Sequence, residues 1–110
     1  MSTSGGTFVR FLTAARASSA ISDIHVLDGG NGQLRIVARE GGRLKPFVAE
    51  SLDVSGIISE VLAELSKDEE MRLAGRGDVK VRLMDPNFGL VRVTVYRESG
   101  QHALAIRMLH

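Results

Sequence analysis

The sequence contains no cysteine, no tryptophan, only two prolines, and just four phenylalanines and one tyrosine among its 110 residues. Without cysteine there is no disulfide, no thiolate nucleophile and no thiolate metal ligand, a composition that fits a reducing compartment. No run approaches the ~20 apolar residues needed to span a bilayer. The first residues have neither the basic flank nor the apolar core of a secretion signal. An excess of one charge is also missing: 14 Lys and Arg oppose 13 Asp and Glu, for a net charge of +1. That balance gives no bulk attraction to nucleic acid or anionic lipid, so any basic patch must be local. These absences predict a cytoplasmic protein with no membrane span and no nucleic-acid partner.

What remains is the composition of a globular domain, 44% apolar and 25% charged. The length allows one domain with one core, built mainly from aliphatic side chains. "MSTSGG" is small and polar, so residues 1–6 are expected to form a flexible tail ahead of a domain over 7–110.

Along that domain the period of the apolar residues alternates between helix and strand. Thr7 is placed to cap a helix that carries Phe8, Phe11, Leu12 and Ala15 on one side, with Arg10 and Arg16 left to solvent. "DIHVL" sets Ile24 and Val26 against Asp23, His25 and Leu27. After a glycine turn in "DGGNG", "QLRIVARE" opposes Leu34, Ile36 and Ala38 to Arg35, Val37 and Arg39, which makes a hairpin. "RLKPFV" is a third strand, and Pro46, lacking a donor, puts it at an edge or a bulge. From Asp53 a helical stripe of Ile57, Ile58, Val61, Leu62 and Leu65 appears, weakened in its first turn by Gly56. Ser66 and Glu69 spell a capping box for a third helix, which runs through Leu73 and is expected to break over Gly75 to Gly77. Three period-two strands follow in "DVKVRLM", "LVRVTVYR" and "HALAIRML", the last two joined at Ser99-Gly100-Gln101. The sum is an α+β domain with about six mostly antiparallel strands and helices packed on one face.

Catalytic signatures are scarce. No glycine pair is followed by Lys-Ser or Lys-Thr, so no Walker A loop is spelled, and His25, His102 and His110 have no metal-ligand spacing. Serine, histidine and aspartate occur only at ordinary strand and turn positions, which argues against nucleophilic catalysis. Arginines carry more information. Arg92 and Arg107 lie in "VRVTVY" and "LAIRML", each flanked by apolar alternation. One reading makes them the solvated face of a half-buried sheet. The other uses the guanidinium fork, which gives phosphate oxygens two parallel hydrogen bonds from a rigid strand.

The stretch "ASSAISDIHVLDGGNGQLRIVAREGGRL" resembles the start of the N-terminal domain in the secretion and pilus ATPases of the PilT/GspE superfamily. There an Ala-Ser-Asp-[Leu/Ile]-His-[Leu/Ile/Val] strand leads to a glycine turn, "LRI" and a Gly-x-Leu hairpin. The resemblance continues through the helix pair, "GDVKVRL", "VRVTVY" and "ALAIRML", and so covers the whole chain. Retraction-like and conjugation-like members are the nearest in pattern. The resemblance implies a PAS-like domain that precedes a RecA-like motor and packs on the motor of its own or a neighbouring subunit in a homo-hexamer. It also implies a location peripheral to the inner membrane, among platform proteins of the secretion or pilus machine. ATP, with Mg in the parent motor, is the implied cofactor, and the chain alone is expected neither to bind it firmly nor to hydrolyse it. The positions matching the family's phosphate-facing arginines are Arg92 and Arg107. "YRESGQH" departs from the pattern by lacking an arginine that some pilus members carry in this hairpin, with Arg97 nearby as a third candidate.

For Asp23 and His25 the residues favour structural roles, with Asp23 fixing the helix-to-strand turn and His25 satisfied by a neighbour. A competing reading is a free-standing PAS-like module that binds a small ligand or a protein partner. The discriminating feature is the sheet face carrying Leu34, Ile36 and Val93: helices covering it exclude a ligand cavity there, while an exposed apolar patch marks a partner surface.

Overall fold

A computed structural model describes residues 6–18, 20–28, 34–47, 56–98 and 100–109. In chain order these form α1 (Thr7–Arg16), β1 (Ile21–Asp28), β2 (Leu34–Glu40), β3 (Arg43–Pro46), α2 (Ile57–Ala63), α3 (Lys67–Arg76), β4 (Asp78–Asp85), β5 (Gly89–Glu98) and β6 (Gln101–Leu109). The strands make one open sheet in the order β3-β2-β1-β6-β5-β4, and every neighbouring pair is antiparallel. It is therefore two meanders, β1-β2-β3 and β4-β5-β6, sewn together along β1 and β6. The expected α+β architecture, six strands with helices against the sheet, is the one observed.

Strict alternation sorts the strands into a helix-covered face and an open face. On the covered face Ile24, Val26, Val91, Val93, Val95, Leu104, Ile106 and Met108 are buried beneath Phe8, Phe11, Leu12 and Ala15 of α1 and Ile57, Ile58 and Val61 of α2. Each fully buried aliphatic of this kind contributes roughly 1.5–3 kcal/mol. The few aromatics pin α1 at two points. Phe8 meets Phe88 edge-on at 6.4 Å, and Phe11 meets Phe47 at 5.4 Å. Ile36 and Val93 are buried and Leu34 packs against the same cluster, so the helices fill the face at these three positions.

Local chemistry accounts for the element ends. The capping box forms: Ser66 Oγ accepts from the Glu69 amide, and the Ser66 amide donates to Glu69 Oε1 at 2.8 Å. Pro46 closes β3, an edge strand, where its missing donor costs no ladder bond.

Three expectations change. Gly6, not Thr7, is the N-cap of α1, and no side chain caps that end. Helix α3 continues through Gly75 and stops at Gly77, whose φ of 86° is the left-handed C-cap conformation. Arg16 is not left to solvent; its guanidinium donates to the Leu109 carbonyl at 2.9 Å, tying the end of α1 to the end of β6. Helix α2 begins at Ile57 behind an N-cap Gly56, and the helical period from Asp53 to residue 55 lies outside the described residues. The same holds for the tail over 1–5 and the glycine turn over 29–33. Among the described residues no helix is long and apolar enough to cross a membrane.

Candidate functional site

The open face acquires its character from register. Arg92 on β5 lies directly opposite Arg107 on β6 and, on its other side, opposite Arg82 on β4. Arg107 lies opposite Asp23 on β1, and Asp23 opposite Arg39 on β2. One transverse row of the sheet thus reads Arg39, Asp23, Arg107, Arg92, Arg82: four guanidinium groups and a single carboxylate. The next row reads Val37, His25, Ala105, Thr94, Lys80.

A hollow follows from side-chain size. Ala105 and Thr94 are short, and the taller His25, Lys80, Arg92 and Arg107 stand around them. The resulting depression of about 310 Å³ is bordered by those four residues and by Asp23. Three cations face one carboxylate there, so its potential is positive although the chain is nearly neutral. A second hollow of about 230 Å³ lies between α2, α3 and β4, where Glu60, Glu64 and Glu69, with Arg82 from the edge strand, rim an apolar floor. An anion is drawn to the first and repelled by the second.

Asp23 reaches this face through a bulge. The β1–β2 register shifts between Ile21 and Asp23. Ile21 and Ile24 are both buried although three positions apart, which strict alternation forbids, and the extra residue Ser22 absorbs the difference. The Ser22 hydroxyl donates to Asp23 Oδ2 at 2.9 Å, and Asp23 Oδ1 accepts from Arg107 Nε at 3.3 Å. The Asp23 carboxylate therefore pairs with a strand on the other meander instead of fixing the helix-to-strand turn. With side chains 62% and 24% exposed, Arg107 and Asp23 form a solvated pair worth about 0.2–1 kcal/mol, so orientation is its larger effect. Arg39 turns away, donating to the Gly42 carbonyl. Among the described residues, the side chains of Arg82 and Arg92 have no hydrogen-bond or ion-pair partner, and Arg107 uses only Nε. Among the described residues, nothing engages either terminal nitrogen of Arg107.

Arg92 and Arg107, singled out in the sequence, are thus adjacent on the open face. Arg97 is not with them. It pairs with His102 near the β5–β6 hairpin and, being odd-numbered on β5 like Val93 and Val95, belongs to the opposite face. His25 borders the depression. Sequence reasoning missed Asp23 as the partner of Arg107, and Lys80 as a member of the basic cluster; Arg82 shares the row of Arg92 but lines the glutamate-rimmed hollow. The outward parity of Lys80 and Arg82 in "VKVRLM" was readable; their neighbours were not.

No family model matches the chain, and no curated protein matches it. Solved structures do. The chain is similar to the pilus retraction motor PilT with bound ADP, at 22% identity and a TM-score of 0.68, covering 93% of this chain and 29% of that one. It is similar to the ATPase DotB of Legionella pneumophila, at 18% identity and a TM-score of 0.61, covering 94% and 28%. It is also similar to the VirB11 ATPase of the Brucella suis type IV secretion system in complex with sulphate, at 17% identity and a TM-score of 0.51, covering 93% and 32%. The chain therefore has the fold of a segment that makes up about a third or less of each of these proteins.

Proposed function

We propose that this chain is the non-catalytic N-terminal domain of a hexameric motor ATPase of the secretion, type IV pilus or conjugation type. It mediates subunit assembly and supplies Arg92 and Arg107 to nucleotide phosphates held by a RecA-like motor domain of its own or a neighbouring subunit. One observation carries the reading: the pairing of Arg92 with Arg107 sets two guanidinium groups side by side on the uncovered sheet face, with their terminal nitrogens unengaged. Like charges directly opposed destabilise a sheet, so the arrangement makes sense where an anion arrives to separate them. The fold likeness to PilT, DotB and VirB11 supports the same context.

The donor set fits ATP. Guanidinium forks match phosphate oxygens bidentately, and strands hold them rigidly. ATP with Mg, held in the motor, would supply the phosphoryl group. Arg92 and Arg107 would offset negative charge on its β- and γ-phosphate oxygens, as arginine fingers do. Assembly beside the inner-membrane platform of such a machine belongs to the same reading, as does a cytoplasmic location. The free-standing module finds less support, because the covered face is packed around Ile36 and Val93 and its remaining hollow, between α2, α3 and β4, is rimmed by three glutamates.

The test uses a motor polypeptide that joins this domain to its P-loop segment. Arg92→Ala and Arg107→Ala are each expected to lower ATPase turnover by roughly a thousandfold or more, the scale on which arginine fingers act, with an unchanged circular dichroism spectrum. Wild-type turnover in both variants refutes the assignment.

A further inference from the structure

We infer that Asp23 is a positioning residue for Arg107: it grips the guanidinium by its side nitrogen so that the terminal fork stands ready for a phosphate-bearing anion in the depression. This rests on the reading of Arg92 and Arg107 as phosphate ligands. An arginine offers two hydrogen-bonding edges, one made by Nε with a terminal nitrogen and one made by the two terminal nitrogens. The Asp23 contact is one-pronged, through Nε alone at 3.3 Å. It leaves the end-on fork unused, the edge that clasps two oxygens of a phosphate.

Asp23 is itself held. The Ser22 hydroxyl donates to its other oxygen, and the bulge at Ile21 to Asp23 brings the carboxylate onto the open face. Its side chain is 24% exposed against 62% for Arg107, so the more buried partner anchors the more exposed one. The competing cation on its far side, Arg39, is committed to the Gly42 carbonyl, which leaves Asp23 to Arg107. Lys80 and Arg92 complete the positive border of the depression, and the ligand class that fits them is a diphosphate-bearing anion.

The inference has a sign that electrostatics alone does not. Deleting a carboxylate from an anion site strengthens binding if charge is all that matters. It weakens binding if the carboxylate orients the ligand's partner. The experiment is a titration of the 110-residue chain with inorganic pyrophosphate, followed through the side-chain Nε–Hε signals of its arginines by nuclear magnetic resonance. In the wild type without ligand, Arg107 Nε–Hε is expected to exchange with solvent more slowly than Arg92 Nε–Hε. Asp23→Ala is expected to abolish that difference and to weaken pyrophosphate binding roughly three- to tenfold, because the freed side chain must be ordered anew by the ligand. Asp23→Asn keeps an acceptor oxygen without the charge and is expected to bind at least as tightly as the wild type.

Equal or tighter binding by Asp23→Ala than by Asp23→Asn overturns the inference, as does equal exchange at Arg92 and Arg107 in the wild type. Backbone amide spectra of each variant report folding independently. Arg92→Ala separates the two readings. If it leaves pyrophosphate affinity unchanged, the arginine site of the previous subsection fails, while the ligand-free exchange rates still decide the grip of Asp23 on Arg107.

Discussion

Replacing Arg92 with threonine should make the domain more stable while removing its anion affinity. Arg92 is sandwiched between Arg82 and Arg107, so two like-charged cross-strand pairs vanish with it. Each such pair costs on the order of 0.2–1 kcal/mol. The Arg107 side is the weaker of the two, because Asp23 already offsets part of that charge at 3.3 Å. Threonine adds a β-branched residue suited to a central strand, while the lost arginine stem uncovers a little apolar surface. The net gain is about 0.5–1 kcal/mol, a rise in melting temperature of roughly 2–8 °C for a domain of this size. The assay is thermal unfolding followed by circular dichroism at ionic strengths of about 0.01 M and about 1 M, where charges are screened over ~30 Å and ~3 Å. The variant should melt higher at low salt, and the gap should close at high salt. A lower melting temperature at low salt, or a gap that ignores salt, refutes the account of the row as mutually repelling. Confirmation would mark Arg92 as a residue kept at some cost in stability, as functional positions often are.

Two further outcomes test other parts of the structure. Gly89→Ala should destabilise the domain by about 1–3 kcal/mol in chemical denaturation, since φ is 75° and the new Cβ would lie 2.5 Å from an Arg16 terminal nitrogen; wild-type stability would contradict the contact of Arg16 over this turn. Tyr96, the sole tyrosine, has its phenol pKa raised above 10.0, first by burial and then by the charge of Glu98. Its ultraviolet titration should therefore lie above 10.0 and move down in Glu98→Gln. Because the folded value exceeds the unfolded one, the associated stability is complete below pH 10.0 and is lost as pH rises through the folded value. A midpoint at or below 10.0 in the folded protein would contradict its burial.

Much of the architecture is legible locally because each strand is half-buried. Alternation in "DIHVL" and "VRVTVY" separates a covered from an open face, and the Ser66–Glu69 spelling gives the start of α3 outright. The adjacency of Arg92 and Arg107 is also a local matter, since a hairpin joins β5 to β6. Asp23 is different. Its partner lies 84 residues away, and no periodicity within either strand tells which strands lie side by side. Ile21 and Ile24 show a second limit: their spacing matches neither face until a bulge is admitted. Gly75 shows a third. A glycine in a helix costs about 1 kcal/mol relative to alanine, yet α3 passes through it because Gly77, two residues on, alone takes the left-handed turn. Arg97 could have been separated from Arg92 by parity alone, as an odd step along one strand changes faces.

The seam between β1 and β6 sets when the basic cluster can come into being. Each meander closes through short connections, whereas joining them brings together segments separated by most of the chain, the slow step in folding by topology. Arg92 and Arg107 can align early, within the second meander, but Asp23 arrives only with the final zippering. A partly folded molecule would therefore display two unrestrained, mutually repelling cations, which only the completed sheet brings beside the Asp23 carboxylate.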